Sequence, residues 1–141
     1  MDTKQYLRQI SRLDKMIKNK IVELYQLKEL YTSISAIKSD ENVQTTPNFD
    51  KIGTAYAKIC EKEQELDEIT DLYIDKKSII ISQIDQMDDE THYEILFSRY
   101  VERKTFEKIA DEMSYSWRQI IRLHGIALKE FEKLHGNEYM S

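Results

Sequence analysis

Apolar residues recur at alternating spacings of four and three along the first segment of the chain. They fall at Tyr6, Ile10, Leu13, Ile17, Leu24, Leu27, Tyr31 and Ile34, with Lys20 at the one position that interrupts the series. Such a heptad stripe predicts a helix of roughly 35 residues, or ~50 Å, ending near Ile37. The stretch SDENVQTTPNF that follows is polar, has no period and carries the only proline. A second stripe runs through Ile52, Tyr56, Ile59, Leu66, Tyr73, Ile80, Ile84 and Met87, with polar Glu63, Thr70 and Lys77 in the same seam. A connection of about a dozen residues lets two long helices fold back antiparallel. Folding them about it brings Lys20 to the level of Glu63, a polar pair suited to setting the register.

Both helices carry more apolar surface than a hairpin can bury. Leu7, Met16, Ile21 and Leu30 on the first, and Ile69, Leu72, Ile74, Ile79 and Ile81 on the second, lie outside the seam. Either the C-terminal region or a second protomer must cover stripes that wide. Self-association is the common solution, so a homodimer through residues 1–88 is expected.

Beyond QMDDETHYE the periodicity changes. Thr91 and Glu94 stand at capping-box spacing and predict the start of a third helix, with Tyr93, Leu96, Phe97 and Tyr100 on its apolar side. The Asp88-Asp89-Glu90 triplet reads as helix-entry chemistry, because consecutive carboxylates there diverge too much to share a metal. Thr105 is a good N-cap for a fourth helix. Ser116 with Gln119 forms the capping box of a fifth, which continues to Leu134.

The break between the fourth and fifth helices bears most on function. A helix-turn-helix needs a small residue at the crossing, a tight corner, and apolar anchors at fixed spacing on each side. Ala110 is the small residue, flanked by Ile109 and Met113; Tyr115 would seal the corner, and Ile120 and Leu123 would anchor the second helix. Ser114 occupies the corner, where glycine is favoured, so a left-handed backbone there costs ~0.5–1 kcal/mol. With Ile120 and Leu123 inward, the outer face of the fifth helix presents Trp117, Arg118, Ile121 and Arg122. No acidic residue occurs between Ser116 and Lys129. The expected DNA-binding set is Thr105, Ser116, Trp117, Arg118, Gln119, Ile121 and Arg122, with Gln119 serving chiefly as a capping partner. His124 lies beside the apolar anchors and reads as a packed or surface residue.

Composition narrows the alternatives. Three glycines and one proline are too few turn-formers for a many-stranded β fold. The fold class is therefore all-α: an N-terminal hairpin over residues 1–88 and a three-helix helix-turn-helix domain over 89–141. The net charge of −5 restricts any DNA contact to a local patch. Lone Cys60 excludes an internal disulfide and a cysteine-rich zinc site. No glycine-rich phosphate loop, metal cluster or nucleophile with a plausible base stands out, so neither an enzyme nor a cofactor is expected. The first residues lack a signal-peptide core, and no apolar run approaches the ~20 residues needed to cross a bilayer; a cytoplasmic protein is expected.

ILFSRYVERKTFEKIADEMSYSWRQIIRLHGIALKEFEKL resembles region 4 of bacterial sigma factors of the sigma-70 class. The matching positions are Leu96, Arg99 and Tyr100, then Thr105, Ile109 and Ala110, then Ser116, and finally Ala127, Leu128 and Lys133. Met113 and Ser114 replace the usual leucine and glycine at the corner. Trp117 alters the charged run after the capping serine, so the family's promoter preference does not carry over. The resemblance implies duplex DNA in the major groove, with RNA polymerase as a further candidate partner. The other sigma regions are not found in this sequence, so a complete sigma factor is not expected. The whole chain, including YLRQISRLDKMIKNKIVEL, is similar to short phage and prophage proteins of Gram-positive bacteria, near the late-gene transcription activators. The expectation is a phage-derived, sequence-specific transcription regulator. The rivals are an adaptor that uses the same domain on polymerase or another protein without reading DNA, and a small-terminase-like packaging protein.

Overall fold

A computed structural model of the chain describes residues 1–40 and 48–140. Among them every regular element is helical, giving the all-α class that the periodicity predicts. The helices are α1 (Thr3–Leu7), α2 (Gln9–Asp40), α3 (Asn48–Asp85), α4 (Glu90–Leu96), α5 (Phe106–Met113) and α6 (Trp117–Tyr139), with a π-helical turn at Phe97–Val101 between α4 and α5. The greater part of the expected polar connection, 41–47, lies outside the described residues. The single long first helix is interrupted at Arg8, whose backbone N–H still reaches Lys4 O at 2.9 Å. No described helix is long and apolar enough to cross a membrane.

The chain divides into two compact units, Asp14–Leu72 and the combination of Met1–Leu13 with Tyr73–Ser141. A division at 88/89 is therefore not where the packing divides. The reason lies in the side chains. Tyr6, Leu7 and Ile10 from the N-terminus, with Ile80, Ile84 and Met87 from the end of α3, share one buried cluster with Leu96, Tyr100, Ala127 and Phe131. Leu7, for which either the C-terminal region or a second protomer was the expected cover, is fully buried within its own chain. Polar contacts tie the same cluster. Tyr6 Oη donates to Gln83 Oε1 at 2.6 Å, and the buried His135 Nε2 lies 3.0 Å from Gln83 O. Tyr6 stacks on Tyr139 at 4.1 Å between ring centroids.

In the Asp14–Leu72 unit α2 and α3 run antiparallel. Lys20 pairs with Glu65 at 3.0 Å, Lys62 with Glu23 at 3.5 Å, and Tyr31 meets Tyr56 at 6.3 Å. The expected partner of Lys20, Glu63, is exposed instead. Two residues further on, Glu65 projects from a different face of α3 and reaches the ammonium. Ion pairs this open contribute little stability, but they distinguish one register from its neighbours. Met16, Ile21 and Leu30 on α2 and Leu72 on α3 remain exposed, as do Ile74 and Ile79 in the other unit. Ile69 and Ile81 are half-buried.

Candidate nucleic-acid interface

Asp89, rather than Thr91, caps α4. Its carboxylate accepts from the backbone N–H groups of Thr91 at 2.9 Å and His92 at 3.1 Å, satisfying two donors that a helix start leaves free. A carboxylate also suits the positive end of the helix dipole better than a hydroxyl does. α4 runs into the π-helical turn, closed by the Glu102 N–H on Phe97 O at 3.0 Å. The turn ends on Arg103, held at a positive φ of 59°. No glycine or asparagine announces that conformation in the sequence.

Arg99 leaves this turn pinned on two sides. Its guanidinium lies over the Phe106 ring, 4.1 Å from the centroid, and Nη1 donates to Lys104 O at 3.0 Å. Thr105 then caps α5, its Oγ1 accepting from the Lys108 N–H at 3.2 Å. Ile109 and Ala110 on α5 bury against Ile95 and Ile120, with Phe106, Met113 and Leu123 partly buried around them. The small side chain of Ala110 permits close approach at the crossing of α5 and α6.

Ser114 adopts φ 60°, ψ 37°, the left-handed corner. Its N–H reaches Asp111 O at 3.3 Å and that of Tyr115 reaches Ala110 O at 2.9 Å. These are the paired 5→2 and 6→1 bonds of a Schellman motif, which satisfy the last carbonyls of α5. Tyr115 does not seal the corner as expected; it is 37% exposed and lies outside the apolar cluster. The backbone bonds close the turn without its side chain.

The reciprocal capping box at the start of α6 forms as the sequence predicts. Ser116 Oγ accepts from the Gln119 N–H at 3.1 Å, and Gln119 Oε1 accepts from the Ser116 N–H at 2.9 Å. One face of α6 is buried through Ile120, His124, Ala127, Phe131 and His135. The opposite face therefore carries Arg118, Arg122 and Lys129 into solvent, and Trp117 beside them is 53% exposed. Ile121 is half-buried at the edge of that face. The structure thus brings Ser116, Trp117, Arg118, Gln119, Ile121 and Arg122 together on the first turns of one helix. Thr105 stands apart, at the start of α5.

His124 is the buried polar residue of this region. Its Nε2 lies 2.7 Å from Tyr100 Oη, and its ring meets Phe106 edge-on at 4.8 Å. Burial first, then the positive field of Lys4, Arg99 and Arg8, lowers its pKa to about 4. Burial raises that of Tyr100 to about 12, against the pull of Arg8 and Arg99. At neutral pH both groups are uncharged, so the phenol donates and the imidazole nitrogen accepts.

No known protein-family model, curated protein or solved structure matches this chain.

Proposed function

We propose that this protein is a sequence-specific DNA-binding transcription regulator that reads duplex DNA with the first turns of α6. The observation that carries the reading is the left-handed Ser114 corner between α5 and α6, followed by a capped helix whose exposed face is basic on an acidic chain. A recognition helix docks in the major groove by its N-terminal residues, where arginine pairs bidentately with guanine. Arg118 and Arg122 stand one turn apart on the solvent side, with Trp117 available to stack or to contact a thymine methyl. Thr105, at the exposed start of α5, is suited to a backbone phosphate. The resemblance to sigma region 4 adds weight to the same reading and makes a cytoplasmic, phage-derived regulator the natural setting. A homodimer fits it too, because two copies can occupy successive major-groove faces about one turn, ~34 Å, apart.

The exposed Trp117 and Tyr115, 53% and 37% accessible, favour one alternative: an adaptor that docks this face on RNA polymerase or another protein. Selection from a random duplex library separates the two. A regulator enriches a defined motif; an adaptor enriches none.

A further inference from the structure

On the N-terminal side of the α5–α6 corner unit lies a cavity of about 220 Å³ lined by Arg8, Ser11, Arg99, Tyr100 and Arg103. Three arginines, a serine and a tyrosine line it, and none of the lining residues is acidic. The first contributors come from the start of the chain and the rest from the π-helical turn and the residues just after it, two stretches that fold into one compact unit. Arg99 is held in place by Phe106 and Lys104 O, so one donor fork is fixed before any ligand arrives. Arg103 already has a partner within the protein and leaves the turn in a left-handed conformation that sets its direction. Arg8 is exposed at the end of α1, where Ser11 Oγ bonds its carbonyl at 3.1 Å. Arg8 and Arg99 are both close enough to act electrostatically on Tyr100 and His124.

We propose that this cavity binds a phosphate oxyanion, a backbone phosphodiester of duplex DNA, and that Arg8 brings the N-terminal segment into the DNA-binding unit. The chemistry is that of arginine forks on phosphate. The location fits a backbone contact, because Arg103 stands two residues before Thr105, the N-cap of the helix that crosses the DNA backbone in a helix-turn-helix. The assignment of DNA as the source of the phosphate rests on the reading proposed above for α6.

The test uses the full chain with Arg8→Ala, Arg8→Lys and the double variant Arg118→Ala/Arg122→Ala. Each is titrated on a selected duplex and on a scrambled one over a range of salt. Arg8 is exposed, so its variants should melt like the parent. Arg8→Ala should weaken both duplexes by the same factor and reduce the slope of log K against log salt by about one, with Arg8→Lys restoring the slope. Unchanged affinity and slope in Arg8→Ala, while the double variant loses binding to the selected duplex, would overturn the phosphate site and leave the α6 reading standing. If no duplex binds, the α6 reading fails, and NMR titration with inorganic phosphate judges the cavity alone. Shifts at Tyr100 that Arg8→Ala abolishes would keep it as a site for free phosphate; no shifts would overturn it.

Discussion

Ser114 is where one side chain and the backbone conflict most openly. A left-handed conformation brings Cβ close to the neighbouring carbonyl oxygen, a strain that glycine lacks. The two bonds that close α5 hold Ser114 there regardless. Ser114→Gly should therefore raise stability by a few tenths to ~1 kcal/mol, relief of strain outweighing the more flexible unfolded chain. Denaturant melts measure this directly, and a clear loss of stability would mean that the hydroxyl or Cβ supports the corner. His124 gives the residue-scale prediction in pH. Its folded pKa of about 4 lies below the ordinary histidine value, so below that ordinary value the unfolded chain binds a proton that the folded one refuses. Stability should be full above about pH 7 and fall, on the order of 3 kcal/mol in all, as pH drops towards 4. His124→Gln should flatten that part of the profile. A parent profile with no more slope there than the variant's would contradict the buried neutral imidazole.

At the scale of elements, the helices were legible because their signals are local. The heptad stripes mark α2 and α3, and Ser116 with Gln119 marks the start of α6 to the residue. The start of α4 was legible in the acids and Thr91 together, but only the three-dimensional path shows that Asp89 is the side chain that turns back onto the N–H groups. The π-helical turn was not legible, since Phe97–Val101 has the same apolar spacing that an α-helix would show. The wide apolar faces were legible as faces, but what covers them was not. Leu7 is covered within the chain, whereas Leu72 and Ile79, seven residues apart on α3, stay 46% and 49% exposed. The proposed self-association would cover that remaining face. Leu72→Asp/Ile79→Asp should leave a folded monomer, because neither side chain is buried, and should weaken binding to paired half-sites far more than to one. Light scattering of the parent protein provides the check: a monomer at tens of micromolar would contradict the dimer.

For the molecule as a whole, the division at 88/89 missed long-range packing that periodicity cannot encode. Tyr6 and Ile10 obey the same heptad rule as Ile17 and Leu24, yet with Leu7 they pack beside Phe131 and Tyr100. The placement of the helix start was more legible than the boundary. Six of the seven expected DNA-binding residues collect on the first turns of α6, because capping and amphipathic spacing fix both where that helix starts and which face points outward. Arg8 and Arg99 were missed as a set, since 91 residues of sequence hide their convergence on one cavity. The function proposed for these features turns on whether α6 reads DNA. The most direct measurement is titration of the selected duplex with the parent protein and with Arg118→Ala/Arg122→Ala, alongside circular dichroism. Helical content should be unchanged, affinity should fall by ~1–3 kcal/mol for each base-reading arginine, and discrimination against the scrambled duplex should relax. Equal affinity and equal discrimination in the two proteins would contradict the account.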